Sequence, residues 1–253
     1  MTSYAKAVKG SHGQFHKFQM CVASPVSISF PSFNMPVHGL RALGPLRDAL
    51  AKEVNAATAD YPDQLVIQME CAVENVSVSK IYTSIPSLGI GLNAFIASIF
   101  AWLFSWSIAS TLCQFPHDVP TGIHLCYGSP NDTRIVTPSD VTPTVILANA
   151  IARRLKSKKR ALSWLHIPFT ESTESKQFSP LQKLQLSSST VLYLGIVFND
   201  GHNNNVQRLE EARKFTPKSL TIEGISTPCG MGRKTRQEAV CCMEEMHRLA
   251  EEF

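Results

Sequence analysis

Short apolar runs alternate along the chain with longer segments in which apolar residues recur every three or four positions. Runs of the first kind predict buried strands, and segments of the second kind predict helices. The predicted strands span residues 18–27, 65–69, 121–127, 161–166, 191–198 and 220–225. The predicted helices span residues 40–57, 141–155, 206–214 and 236–252. Pro25 interrupts the first apolar run, so we expect that strand to run into a loop.

Strands that alternate with helices predict a parallel sheet joined by crossover helices, which is an α/β fold. The count of about six strands is two short of the eight strands of a closed (β/α)8 TIM barrel. A sheet with missing strands has unpaired edges, through which copies of the protein could associate. The polar residues 1–17 predict a loose segment, followed by a single domain at 18–253.

An apolar block interrupts this domain at about residues 79–116. No charged residue lies between Lys80 and His117, and residues 92–112 would form a helix long enough to cross a hydrocarbon layer of about 30 Å. Three interpretations remain open. The block is a membrane span or anchor, an insertion foreign to the fold such as translated non-coding sequence, or a buried or interfacial helical hairpin.

Charged residues form only 17% of the chain, and the net charge is +4. Much of the positive charge lies in one run, formed by Arg153, Arg154, Lys156, Lys158, Lys159 and Arg160. Such a run predicts a solvated helix end, with contact to phosphates or anionic lipid as the alternative. We expect no nucleic-acid partner from so small a net charge.

The seven cysteines are odd in number and have no repeated spacing, which indicates a reducing compartment rather than a disulfide framework. No basic segment followed by a short apolar stretch opens the sequence, so we expect no secretory signal peptide. These observations predict a cytoplasmic protein, with membrane association through residues 92–112 as the alternative.

The candidate chemistry lies where predicted strands end. His124 and Cys126 are two residues apart, so their side chains point to the same side of a strand. Cys229 follows the last strand, and in a barrel every strand-to-helix junction lies on one face. Two thiolates and an imidazole that converge there would suit zinc. The alternative is that these residues are ordinary packing residues.

Several segments, taken in order, resemble one known family: 63–70 (DQLVIQME), 122–128 (GIHLCYG), 136–140 (VTPSD), 163–168 (SWLHIP), 193–197 (YLGIV) and 227–233 (TPCGMGR). They are similar to cobalamin-independent methionine synthase and its relatives, which form one barrel superfamily with uroporphyrinogen decarboxylase. The resemblance covers residues 18–74 and 119–253. It implies a TIM-barrel-like fold in which the first two strands of the family have no counterpart within this sequence.

The resemblance also implies roles for individual residues. His124, Cys126 and Cys229 match three of the family's zinc ligands, and His166 occupies the position of the fourth, a glutamate in methionine synthase. Glu70 is then the candidate catalytic residue in the substrate site. Glu74 is a candidate to hold a substrate ammonium group together with Glu70, and the alternative is that both are ordinary solvated residues at a strand end. Arg233 is, independently of the resemblance, a candidate to bind a carboxylate or phosphate, with a helix-capping or surface role as the alternative.

The function that follows is zinc-dependent transfer of a methyl or other alkyl group to a thiol, with a small-molecule thiol and an alkyl donor as partners. Two alternatives come from other classes. One is a degenerate barrel fragment without catalysis that acts as an interaction protein. The other is a membrane-anchored barrel. Shared superfamily membership alone does not favour a decarboxylase, because fold does not determine function.

Overall fold

A computed structural model describes residues 17–33, 35–83 and 89–252. Six strands form one parallel sheet, in which the spatial order is the order along the chain. They are β1 (Phe18–Ala23), β2 (Leu65–Cys71), β3 (Thr121–Leu125), β4 (Trp164–Pro168), β5 (Val191–Gly195) and β6 (Ile222–Ser226). Among the described residues, β1 and β6 each pair with one strand only. The predicted α/β class with a six-stranded, incomplete TIM-barrel-like sheet is confirmed.

The helices lie in the connections between strands. They are α1 (Pro25–Ser32), α2 (Pro36–Asp60), α3 (Ala72–Thr83), α4 (Gly89–Leu112), α5 (Thr142–Ser157), α6 (Ser175–Phe178), α7 (His202–Phe215) and α8 (Arg236–Ala250). Short 3-10 turns occur at Pro130–Asp132, Ser179–Lys183 and Met231–Arg233. The core lies between the sheet and these helices, because alternate strand residues such as Ile67, Ile123 and Leu165 point towards the helices and are buried.

The segment after β1 differs from the prediction, because the chain enters helix α1 at Pro25 instead of a loop. Proline is well placed at the first turn of a helix, since its missing N–H would have no partner there. Ser24 caps this helix, with its Oγ accepting a hydrogen bond of 3.0 Å from the N–H of Ser27. The predicted loose segment 1–17 lies outside the described residues except for Lys17.

The apolar block contributes helix α4, which packs against α3 and α5. Residues Gly91–Leu112 are long and apolar enough to cross a membrane, with a mean hydropathy of 1.6, and 39% of their most apolar stretch is buried inside the protein. The helix therefore belongs to the shell around the sheet, in the connection between β2 and β3. Residues 84–88 of the block lie outside the described residues.

The concave side of the sheet contains a row of three paired residues, Gln68, Gly122 and Trp164, on adjacent strands. The indole of Trp164 lies across Gly122 and donates a hydrogen bond of 2.9 Å from Nε1 to Oε1 of Gln68. A Cβ atom on Gly122 would lie 2.0 Å from the indole, so this close approach requires glycine. The row fills the interior directly below the carboxyl ends of the strands.

Candidate metal centre

A second row of paired residues lies one step closer to the carboxyl ends of the strands. It runs through Glu70, His124, His166 and Tyr193 on four neighbouring strands. Because side chains two residues apart share one face of a strand, this row points to the same side as Gln68 and Trp164. The sheet thus brings four polar or aromatic groups from distant parts of the sequence to one edge.

Cys126 is held by a tight turn that follows β3. Gly128 adopts a left-handed conformation with φ of 69°, and its N–H donates a hydrogen bond of 3.3 Å to Sγ of Cys126. A side chain on Gly128 would also clash with Ile135. From helix α3, Nδ2 of Asn75 donates a hydrogen bond of 3.2 Å to the carbonyl oxygen of Cys126. These contacts direct the thiol towards His124 and the barrel mouth.

Cys229 approaches from the loop after β6. The hydroxyl of Thr227 donates a hydrogen bond of 2.7 Å to the carbonyl oxygen of Cys229, which fixes the backbone there. The thiol of Cys126 donates to Sγ of Cys229 across 3.2 Å, and Oγ of Ser129 lies 2.9 Å from the same sulfur. The ligand atoms of His124, Cys126 and Cys229 all lie within 4.8 Å of one another.

The pKa values of the two thiols are shifted in opposite directions. The hydrogen bond from Cys126 lowers the pKa of Cys229 below its usual value, and nearby His124 and Ser129 act in the same direction. The same hydrogen bond, together with burial, raises the pKa of Cys126. Cys229 is therefore the more acidic thiol of the pair, and the thiolate is the form in which cysteine binds metal.

The three residues fit zinc on chemistry and on distance. Zinc favours thiolate and imidazole ligands, and a tetrahedral ion with Zn–S bonds of about 2.3 Å separates two sulfurs by about 3.8 Å. The observed separation of 3.2 Å needs only a small widening. Nδ1 of His124 is also buried and has no hydrogen-bond partner among the described residues. Buried polar atoms are normally hydrogen-bonded, so a bound metal ion would supply the partner that this nitrogen lacks.

His166 lies beside this cluster but outside the set of three. Its ring lies against that of His124 with a centroid distance of 4.3 Å and an angle of 37° between the planes, while its Nε2 shares a hydrogen bond of 2.7 Å with Oγ of Ser226. Burial, followed by the neighbouring His124, lowers the pKa of His166 well below its usual value. The ring is therefore neutral, which a metal ligand must be, although Ser226 occupies one of its nitrogens.

The inner cavity lies on the concave side of the sheet, has a volume of 630 Å³ and is bordered by Glu70, His124, His166 and Cys229. Glu70 is half-buried, accepts a hydrogen bond of 2.8 Å from Nε2 of Gln68, and has its other oxygen 3.7 Å from Nε2 of His124. The predicted catalytic residue is thus adjacent to the candidate metal centre and faces open space.

The two predicted substrate-binding residues lie elsewhere. Glu74 is fully buried in α3, where its oxygens accept hydrogen bonds of 2.5 Å from Ser24 and 2.8 Å from Ser27, and burial raises its pKa. These contacts tie α1 to α3. Arg233 is exposed at the end of a 3-10 turn, whereas its neighbour Lys234 pairs with Asp132 at 2.9 Å. Their predicted roles remain untested.

An outer cavity of 460 Å³ lies at the mouth of the sheet and also borders Cys229. Its charged side chains include two ion pairs, Arg134 with Glu171 and Lys234 with Asp132. Cys229 therefore borders two cavities, each large enough for a small molecule. Sequence reasoning overlooked this outer cavity.

Three supporting residues were also missed, namely Gln68, Ser129 and Ser226. A signal existed for Gln68, because it lies two residues before Glu70 in an otherwise apolar strand and so shares its face. Ser226 ends strand β6 and Ser129 lies in the loop after β3, and the sequence does not reveal that their hydroxyls reach His166 and Cys229.

No family model matches the sequence, and no curated protein matches it. Among solved structures, the fold is similar to that of a B12-independent methionine synthase from Shewanella sp. W3-18-1, which was solved in complex with selenomethionine. The TM-score is 0.60 with 12% identity, and the match covers 100% of this chain and 67% of that chain. At this identity the likeness shows a methionine-synthase-like fold and nothing finer.

Proposed function

We propose that the protein is a zinc-dependent transferase that moves a methyl or other alkyl group onto the sulfur of a small thiol. The observation that carries the proposal is the convergence of His124, Cys126 and Cys229 at the carboxyl edge of the sheet, between two cavities. The similar methionine synthase structure contains selenomethionine, which is consistent with an alkylated sulfur-family amino acid as product.

His124, Cys126 and Cys229 would bind the ion, and three protein ligands leave a position for a substrate, as catalytic zinc sites do. Zinc held there would supply the positive charge that favours the deprotonated form of a substrate thiol. In the transfer, a new bond forms between the thiol sulfur and the alkyl carbon. The bond between that carbon and the donor breaks, and its electron pair stays with the donor.

Glu70 is the group best placed to orient the thiol substrate. Its carboxylate faces the inner cavity beside His124 and could hold a substrate ammonium group by a charge-assisted hydrogen bond. The donor would then approach through the outer cavity, on the other side of Cys229. Glu74 and Arg233 are weaker candidates for substrate binding, since neither borders the cavities described above.

We keep His166, which the resemblance implies, as the fourth ligand of the protein without substrate, and the other three residues as the set that would hold the ion when a thiol is bound. His166→Ala should then weaken zinc binding by about tenfold or more, the loss typical of residues around a metal site. Ser226→Ala is the matched control, because it frees Nε2 of His166 without removing the ring. Equal zinc affinity in the His166 variant and the unsubstituted protein would restrict the ligand set to the other three residues.

Calorimetric titration of the zinc-loaded protein with thiols tests the proposed chemistry. Homocysteine, cysteine and glutathione would be compared with their S-methyl derivatives in buffers of different ionisation enthalpy. We expect at least one free thiol to bind with release of about one proton, and its S-methyl form to bind without that release. Cys229→Ser should abolish the proton release, whereas Cys241→Ser, on the exposed side of α8, should preserve it.

Transfer itself would be followed by mass spectrometry of the thiol product after incubation with candidate methyl donors. A protein that is folded and zinc-loaded but releases no proton with any thiol would contradict the proposal. A folded protein that binds no metal would instead support the non-catalytic barrel.

A further inference from the structure

Helix α4 exposes most of its bulky apolar side chains and buries its alanines, although Ile108 and Leu112 near its carboxyl end are buried as well. The exposed apolar side chains recur every three or four residues, so they form one face, which we call the aromatic face: Leu92, Phe95, Ile99, Phe100, Trp102, Leu103 and Trp106. Between 39% and 62% of each is exposed. Small residues such as Ala97, Ala101 and Ala109 are buried instead. This is the reverse of the usual amphipathic helix of a globular domain.

The aromatic face is too large to be the ordinary scatter of surface hydrophobic residues. Seven large side chains, each about half exposed, leave an apolar surface on the order of 700 Å². Monomeric proteins rarely expose contiguous apolar patches of more than a few hundred Å², and larger ones mark sites of interaction. We therefore expect another molecule to cover the aromatic face.

Helix α4 is unsuited to cross a membrane, because it belongs to the layer of helices that packs around the sheet. Its inner face buries Asn93, Ser105 and Thr111 as well as Ala97 and Ile108 against the rest of the protein. Moving the helix into a bilayer would expose the core that these residues cover and place the polar ones in hydrocarbon. Only the outer face is available, so the helix can lie along an interface and cannot cross it.

Positive charge borders the aromatic face on one side. The guanidinium of Arg154, from the last turn of α5, lies 4.1 Å from the ring centre of Trp106 and 5.5 Å from that of Trp102. Lys156 and Lys158, at the same end of α5, are exposed. Neither α4 nor α5 contains an aspartate or glutamate. Aromatic and aliphatic side chains next to lysines and arginines are the combination that binds anionic membrane surfaces.

We propose that α4 and the carboxyl end of α5 form a membrane-binding surface, which rests in the headgroup region of anionic lipid bilayers. The aromatic face would enter the headgroup and acyl boundary, where tryptophan is favoured. The cations of α5 would contact lipid phosphates and carboxylates. This surface lies on the helix side of the sheet, so it leaves the mouth with the candidate metal centre free.

Vesicle binding of the full chain tests the proposal, with phosphatidylcholine vesicles that either contain or lack phosphatidylserine. We expect binding to the anionic vesicles, weak binding to the neutral ones and loss of binding at high salt. Lys156→Gln with Lys158→Gln should weaken binding about thirtyfold, since each lysine near an anionic surface contributes about fivefold. The matched control, Lys176→Gln with Lys218→Gln, removes the same charge from exposed positions outside this surface.

The double variant Trp102→Ser with Trp106→Ser tests how much the aromatic face contributes to vesicle binding. It should reduce binding at least tenfold. The protein should stay folded, because both side chains are about half exposed. Val240→Ser with Met243→Ser on α8 is the control. Brominated lipids should quench the emission of the tryptophans on α4 and leave that of buried Trp164 unchanged.

Equal binding to both vesicle types, or no binding to either, would overturn the proposal. Sedimentation analysis tests the remaining possibility, which is that a second copy of the chain covers the aromatic face. If the unsubstituted chain is a dimer that Trp102→Ser with Trp106→Ser converts to a monomer, the aromatic face joins two copies of the chain and the membrane proposal is wrong.

Discussion

Substitution of Gly122 by alanine tests the layer of side chains beneath the candidate metal centre. A Cβ atom at this position would lie 2.0 Å from Cε2 and 2.2 Å from Nε1 of Trp164. The indole would have to withdraw by about 1.5 Å to reach ordinary van der Waals contact. It would then lose the hydrogen bond of 2.9 Å that it donates to Gln68.

The magnitude follows from two contributions. Overpacking a buried position costs about 1–3 kcal/mol, and unpaired buried hydrogen-bonding groups cost about 1–3 kcal/mol. Because Trp164 borders the inner cavity, its ring can swing partly into open space and water can reach the freed groups, which reduces both costs. We expect the free energy of unfolding to fall by about 3 kcal/mol and the melting temperature by roughly 6–12 °C.

Urea and thermal denaturation, followed by circular dichroism, would measure the change. Gly91→Ala is the control, because its Cβ meets nothing within 4 Å in helix α4 and should be neutral or stabilising by up to about 1 kcal/mol. In a Trp164→Leu background the cost of Gly122→Ala should fall below about 1 kcal/mol, since no indole then covers the glycine. Unchanged stability, or equal losses in both backgrounds, would refute the reasoning.

Two further predictions concern buried and paired titratable groups. Glu74→Ala should lower the free energy of unfolding by about 3 kcal/mol, because it leaves two serine hydroxyls unpaired. Glu74→Gln should change it by less than about 1 kcal/mol, since glutamine keeps the shape and removes a charge that burial opposes. Chemical denaturation of both variants would measure these changes. Hydrogen bonds to Glu252 and Glu245 raise the pKa of His202 above 6.5. A raised histidine pKa stabilises the fold fully below the unfolded value and less as pH rises through the folded value. The difference in melting temperature between the unsubstituted protein and His202→Gln should therefore shrink as pH is raised from 6.5, and a constant difference would contradict this assignment.

The strands and the convergence of the candidate ligands could be predicted because both follow from one-dimensional patterns. Short apolar runs gave six strands, and the carboxyl ends of parallel strands meet at one edge of the sheet. The residues His124, Cys126 and Cys229 therefore had to lie on the same face, and the structure places their ligand atoms within 4.8 Å of one another.

The remaining features depend on contacts between distant residues. Helix α3 was not predicted, because it buries Glu74, Asn75 and Ser79 among its apolar residues and so has no apolar stripe. The serines that satisfy Glu74 lie about fifty positions earlier in the chain. Likewise, strand register rather than composition decides that Trp164 reaches across Gly122. Such pairings leave no periodic signal along the sequence.

The central claim, a zinc centre built by His124, Cys126 and Cys229, is tested most directly by X-ray absorption at the zinc edge of the purified, zinc-loaded protein. The account predicts one zinc ion per chain with two sulfur ligands and at least one imidazole, and Zn–S distances of about 2.3 Å. Cys126→Ser or Cys229→Ser should each remove one sulfur from the coordination shell, whereas Cys241→Ser should remove none. A chain that binds no zinc, or zinc whose sulfur count is the same in all three variants, would contradict the account.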